Sequence, residues 1–315
     1  MNIKKVGLTA LAASLVSVSA YAGEMSVSGG ASIGLKNTEK TSTGKSWTMG
    51  NQLTFSGSGE LDNGMNVSLS FVLDQDDDTT QSETKREENS PFDSHSVTIS
   101  SDALGSLKFS GEGGSSAQSA IDTTAAGDAW DNGSGFSTPK SSEAGNNSMV
   151  YTLPSLMDDL TLVGSYSPGS AGGPSATAFR VGFTGVEGLS LDFAEGQIET
   201  VGSEADVTTI KGSYAISSFT LSASNTEYDA ASSDETVESY NIAYTVSDDL
   251  SIAYGTETIE TQGSSPDEEA EKLNVSYTTG GVTLSATQYN FKGSGNTAGE
   301  AGETGRWALS ATFAF

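Results

Sequence analysis

The strongest constraint in this chain is a period-two alternation of apolar and polar residues that runs from Met25 to Phe315. Met25, Val27, Gly29, Ala31, Ile33 and Leu35 alternate with Ser26, Ser28, Ser32 and Lys36, which is the side-chain pattern of a strand with one apolar face. Trp47, Met49, Leu53, Phe55 and Leu61 continue the habit, Asp62-Asn63-Gly64 makes a hairpin turn, and Met65, Val67, Leu69, Phe71 and Leu73 follow. Further segments of this kind lie near 96–101, 106–112, 148–154, 160–166, 176–186, 189–198, 207–216, 219–226, 237–246, 250–258, 272–278, 282–291 and 306–315. The total is about sixteen, an even number, at roughly the 9–11 residues of a membrane-crossing strand or slightly less.

The connections alternate in length. Short links at 62–64, 102–105, 155–159, 187–188, 217–218, 247–249 and 279–281 consist mainly of Asp, Asn, Gly, Ser and Thr. Between them fall long, acidic, Gly/Ser-rich links at 37–46, 74–95, 113–147, 167–175, 199–206, 227–236, 259–271 and 292–305. A soluble sandwich has no reason to place its short turns at one end and its long loops at the other, whereas a transmembrane β-barrel does. The expected fold is therefore all-β, a transmembrane antiparallel barrel of about 16 strands with both termini on the short-turn side.

In hydrocarbon every backbone group must be paired internally, so strands cross a bilayer only as a closed sheet, apolar outside and polar toward a wet lumen. A hydrophobic content of only 35% fits that division. Tyr151, Tyr166, Tyr214, Tyr240, Tyr244, Tyr254, Tyr277, Phe183 and Phe193 fall on apolar faces, many toward strand ends, as interfacial girdles require. Residues 1–22 read as a cleaved signal peptide: Lys4 and Lys5, an apolar run from Val6 to about Val18, and Ala20-Tyr21-Ala22 before the cut. Without Lys4 and Lys5 the 14 basic residues fall to 12 against 41 acidic ones, a net charge of −29. Such a chain repels phosphate backbones, so no nucleic-acid partner is expected. The absence of cysteine removes disulfide scaffolds, thiolate metal sites and cysteine nucleophiles.

The last strand carries a family signal. Trp307, Leu309, Ala311, Phe313 and Phe315 alternate with Arg306, Ser310 and Thr312, which resembles the closing strand of outer-membrane barrels, whose final aromatic is read by the barrel assembly machinery. Ser101-Asp102-Ala103-Leu104-Gly105-Ser106-Leu107-Lys108-Phe109-Ser110-Gly111 resembles the tight turn and fifth strand of general porins, especially the alphaproteobacterial ones. Segment 113–147 has the length and place of their third loop, and Ala125-Ala126-Gly127-Asp128-Ala129 within it is similar to a stretch common there. Asn147-Ser148-Met149-Val150-Tyr151, with Pro154, is similar to their sixth-strand motif, except that Val150 stands where the family often has Arg.

The resemblance implies a Gram-negative outer-membrane channel for ions and small hydrophilic solutes. It further implies a homotrimer, with lipid and lipopolysaccharide around it and the third loop folded into the lumen as a constriction. Glu112, Asp122, Asp128 and Asp131 are the expected constriction acids, and Phe315 the assembly signal. Lys108, Arg180, Lys211 and Arg306 fall on polar faces as pore-wall charges, with Lys272 either beside them or at the mouth. The other candidates for the wall facing the loop are Thr48, Gly50, Gln52, Thr98, Ser100 and Val150, so the family's basic wall looks largely missing and cation preference is expected. No enzyme activity, cofactor or metal is expected. The single histidine, His95, has no nucleophile motif beside it, and weak calcium binding is left open at Asp74, Asp76, Asp77, Asp78 and at Asp267, Glu268, Glu269, Glu271. The competing readings are a substrate-selective porin of the same fold and a secreted acidic adhesin or calcium-dependent surface β protein.

Overall fold

A computed structural model of the chain describes residues 25–39, 44–74, 93–142, 146–169 and 173–315. The expected signal peptide and the loop acids Asp76, Asp77, Asp78, Glu87 and Glu88 lie outside the described residues. Among the described residues sixteen strands form one closed antiparallel barrel, each paired with its sequence neighbours and the last with the first. They are β1 (Met25–Thr38), β2 (Lys45–Glu60), β3 (Asn66–Asp74), β4 (Ser94–Ser101), β5 (Gly105–Glu112), β6 (Ser148–Thr152), β7 (Leu160–Ser167), β8 (Ser175–Val186), β9 (Leu189–Thr200), β10 (Ser203–Ile216), β11 (Phe219–Ala230), β12 (Glu235–Ser247), β13 (Leu250–Thr261), β14 (Glu268–Thr279), β15 (Val282–Lys292) and β16 (Thr304–Ala314).

Closure joins β1 to β16 in register from Gly30 opposite Ala314 to Thr38 opposite Arg306. Beyond the ladder, the Gly29 amide donates to the Phe315 carbonyl at 2.7 Å and the Phe315 amide to the Gly29 carbonyl at 3.0 Å. A side chain at position 29 has no room: its Cβ would lie 2.6 Å from the Phe315 ring and 2.9 Å from Leu53.

Three of the connections expected to be long are short. Residues 199–206, 227–236 and 259–271 reduce to turns at 201–202, 231–234 and 262–267, because the ladders continue through Glu, Asp and Thr to pairs such as Thr200 with Ser203 and Glu235 with Thr261. Here the strands rise past the outer apolar band: outward positions become Glu, Asp and Thr while inward ones such as Ala205, Val207 and Ile259 are apolar and buried, so the alternation that marks a strand in sequence loses its phase while its hydrogen bonds persist.

The outer face carries the large exposed apolar side chains, including Trp47, Met49, Leu191, Ile210, Tyr214, Tyr240, Tyr254 and Leu309. Eight of the nine girdle aromatics named from sequence are among the exposed ones; Phe183 is half-buried. The inner face departs from the expected polar lining. Val207, Val237, Ile259 and Phe291 are buried on it, and Phe291 packs with Tyr289, Ala270, Ala129 and Phe136 in an apolar island inside the barrel. What covers that island is the connection after β5.

Candidate functional site: the lumen and its inward connection

Segment 113–142 touches strands from β7 round to β16, which a connection can do only from within a closed sheet. Its first contact is the Ala117 amide donating to Ser165 Oγ on β7 at 2.8 Å, and a late one is Arg306 Nη1 of β16 donating to the Asn132 carbonyl at 3.0 Å. Two short 3₁₀ turns, Ser119–Ile121 and Ala129–Asn132, bracket its most tightly held stretch. Gln118, fully buried, donates from Nε2 to Thr209 Oγ1 at 2.8 Å and accepts from the Ser142 amide at 2.7 Å, tying the two limbs of the segment to each other and to β10.

Wall carboxylates and cations bind the segment's backbone in complementary ways. Glu257 accepts the amides of Ala129 at 2.9 Å and Trp130 at 2.8 Å together with the Thr124 hydroxyl. Glu268 accepts the Ser137 amide at 2.8 Å and Glu235 the Lys140 amide at 2.7 Å. In the opposite sense Lys211 donates to the Thr123 carbonyl, and Lys272 to the carbonyls of Ala126 at 2.9 Å and Gly127 at 3.2 Å. Ser224 and Ser239 take the amides of Ala125 and Ala126 at 2.9 Å each. Gly255 lets the segment approach this closely, since a Cβ there would lie 2.6 Å from that of Ala126. Hydrogen bonds to charged partners in a low-dielectric setting are roughly twice as strong as neutral ones, so this side of the lumen is rigidly filled.

The four expected constriction acids occupy different settings. Asp128 holds a left-handed backbone (φ 49°) and its carboxylate accepts the Thr124 amide at 2.9 Å and the Trp130 indole N–H at 3.4 Å. Asp131 is exposed on the loop two residues past Ala129. Asp122 is half-buried beside Asp128 and Lys211. Burial first, and then the neighbouring Asp128 charge, push its carboxyl up to about 6, with Lys211 opposing. Asp122, Asp128, Trp130, Lys140 and Val237 line a crevice of about 70 Å³ between loop and wall. Glu112 stands apart at the end of β5, opposite His95 across a bulge.

The expected wall charges do not share one surface. Arg180 on β8 pairs with Asp192 on β9 at 2.7 Å, and Asp192 sits opposite Lys211 in the ladder. Lys211, Lys272 and Arg306 are bound to loop carbonyls, on the loop's own side of the lumen. Lys272 is thus inside the barrel rather than at the mouth. Lys108 is exposed on β5, in the ladder row of Thr98 and Val150 and away from the other cations. Register also puts Thr48, Gly50 and Gln52 of β2 in the inward row opposite Gly34, Ser32 and Gly30 of β1, with Lys36 opposite Ser46, leaving a wall of mostly neutral side chains on that side.

Sequence reasoning missed the anchoring carboxylates. In sequence Glu235 and Glu268 fall in acidic links, and Glu257 falls inside a strand without a motif around it. Their parity was the available signal, because Glu257 alternates with Tyr254, Thr256 and Thr258 of the outer row. Parity also divides the proposed calcium cluster: Glu268 turns inward to the Ser137 and Gly295 amides, whereas Glu269 turns outward, 3.5 Å from Lys292. His95 projects outward over Gly111, where it would collide with any Cβ.

The chain matches the family model described as Gram-negative porin over residues 7–297. No curated protein matches it in sequence. Among solved structures it is similar to OmpF of Salmonella typhi, with a TM-score of 0.70 at 11% identity over 93% of this chain and 98% of that one. The anion-selective porin of Comamonas acidovorans gives 0.65 at 13% identity, covering 93% and 100%. The trimer form of OmpT of Vibrio cholerae gives 0.63 at 14%, again covering 93% and 100%. At such identities the likeness carries the architecture alone.

Proposed function

Because this chain belongs to the Gram-negative porin family, and is thus an outer-membrane channel, we propose that it is a general diffusion porin for ions and small hydrophilic solutes with a preference for cations. The observation that carries the reading is the inward connection: it lies within a closed barrel and carries Asp122, Asp128 and Asp131, and the wall cations nearest to it are occupied by its backbone carbonyls. The wall across the lumen contributes hydroxyl, carboxamide and glycine positions, with Lys36 and Lys108 as its basic residues. A formal charge of −27 adds a negative field at the mouth, effective over ~8 Å at physiological salt. Fold does not set the sign of selectivity, as the anion-selective Comamonas relative illustrates. The side chains do.

We further propose a homotrimer, in keeping with the trimer form of the Vibrio relative and with the small residue Ala31 on the outer row of β1. Lipopolysaccharide contacts the outer rim, and the assembly machinery recognises Phe315. Planar-bilayer recordings test the channel: stepwise conductance is expected, with a KCl-gradient reversal potential of cationic sign. An anionic sign at low salt refutes the preference. Conductance that saturates with one particular solute would favour the substrate-selective reading, and deletion of Ser115 to Ala126 without change in conductance would place the constriction elsewhere. A purely monomeric native extract refutes the trimer.

A further inference from the structure

We infer that Glu257 is the positioning residue of the constriction: it sets where the loop acids stand in the lumen while lying behind the loop itself. The inference rests on the channel reading above and adds to it a division of labour among the lumen charges.

Glu257 is 2% exposed, on the inner row of β13. Oε1 accepts the Thr124 hydroxyl and the Ala129 amide at 2.9 Å, and Oε2 accepts the Trp130 amide at 2.8 Å. These three donors are the points at which the loop's path is decided. Thr124 and Asp128 form a closed ring, the Asp128 amide donating to Thr124 Oγ1 at 2.8 Å and the Thr124 amide to Asp128 Oδ1 at 2.9 Å. The Thr124 hydroxyl that closes the ring points its proton at Glu257. Ala129 and Trp130 open the 3₁₀ turn that carries Asp131, and that turn's first amides end on the same carboxylate. One side chain therefore fixes both the ring that holds Asp128 and the turn that presents Asp131.

Among the described residues no other wall carboxylate binds three donors of the loop. Glu235 binds one amide, and Glu268 divides its oxygens between Ser137 and Gly295. Lys211, Lys272 and Arg306 each bind only one or two carbonyls of the loop. Loss of Glu257 leaves two amides and a hydroxyl without an acceptor, and Thr124 and Ala129, which supply two of those donors, are buried. A buried donor left unpaired costs the full desolvation of that group, and losing three at once raises the population of detached loop by about tenfold or more.

The test uses the full chain, refolded or membrane-expressed, with the heat-modifiable gel band as proof of folding. Glu257→Ala should give higher single-channel conductance, larger open-channel current noise and a KCl reversal potential nearer zero. Asp131→Asn, which should move that potential in the parent channel, should move it less in the Glu257→Ala background. Glu257→Gln keeps one acceptor oxygen and should fall between the two; it also serves if the alanine variant does not fold. Since the chain has no cysteine, Ala125→Cys with Ser224→Cys offers a clean lock where Ser224 now binds the Ala125 amide. Oxidised, that pair should restore quiet, narrow conductance to Glu257→Ala, and a reductant should undo the rescue.

Parent-like conductance, noise and selectivity in folded Glu257→Ala overturn the inference. So does a shift in selectivity alone, with quiet conductance and no response to the disulfide, because Glu257 would then act as a lumen charge. If Asp131→Asn and the Ser115 to Ala126 deletion also leave the parent channel unchanged, the constriction reading itself fails. If they alter it and Glu257→Ala does not, only the role of Glu257 falls.

Discussion

Lowering the pH from 7.5 to 5 should remove one specific charge from the constriction and weaken its cation preference in a step centred near pH 6. Asp122 lies on the inward connection rather than on a spanning strand, and burial together with Asp128 pushes its carboxyl up to about 6 against the pull of Lys211. The sign follows from the direction of the shift. A raised carboxyl is charged above its pKa and neutral below it, so Asp122 is about nine-tenths ionised at pH 7 and about one-tenth at pH 5. A cation passing at ~5 Å through water gains about 0.8 kcal/mol from one such charge, or about fourfold in local concentration before screening. Salt reduces that figure, so the assay is the reversal potential across a dilute KCl gradient at a series of pH values. Ordinary carboxylates titrate about two units lower, near pH 4, which separates this step from the mouth acids. Asp122→Asn should abolish the step. His95→Gln should leave it, since His95 projects outward over Gly111. A flat response between pH 7.5 and 5, or a step that survives Asp122→Asn, refutes the reasoning.

Other consequences can be measured on the same folded material. Phe291→Ala empties the island beneath the loop, where Phe291 is 1% exposed, stacked on Tyr289 at 5.8 Å and edge-on to Phe136 at 5.2 Å. A loss of about 3–5 kcal/mol is expected, read as a lower temperature for the heat-induced gel shift, and an unchanged temperature contradicts the packing argument. Gly29→Val forces a branched side chain into the Phe315 ring and should lower the yield of closed barrel more than Gly29→Ala does. Removal of Phe315, a residue 75% exposed, should reduce outer-membrane incorporation while export continues; normal incorporation would deny it a role in assembly. Asp192→Asn frees Arg180 and leaves Lys211 without its cross-strand acid, so the reversal potential should move toward anions.

The β-barrel, its strand number and its outer surface were legible because each rests on a rule that acts residue by residue. Lipid demands an apolar side chain at every second position, and a turn demands Asp-Asn-Gly or its equivalents, whatever lies elsewhere in the chain. Strand ends above the bilayer escaped for the same reason. Once the outer face turns polar, Ser203-Glu204-Ala205-Asp206 keeps only the buried Ala205 as an apolar marker, although its backbone pairs with 197–200 as firmly as any other strand.

The lumen obeys a different logic. Whether an inward residue meets water or protein depends on where a connection some hundred residues away comes to rest, and no local pattern encodes that. Val207, Val237, Ile259 and Phe291 break the polar parity because the third long connection covers them. Glu257, Lys211, Lys272 and Arg306 have the composition of a charged pore wall, yet their charge is spent on that connection's amides and carbonyls. Alternation assigned each side chain to the inside or the outside of the barrel. Closure of sixteen strands and the docking of one loop then determined which inward charges face the solute and which hold the loop in place, because those roles depend on which surfaces meet across the ring.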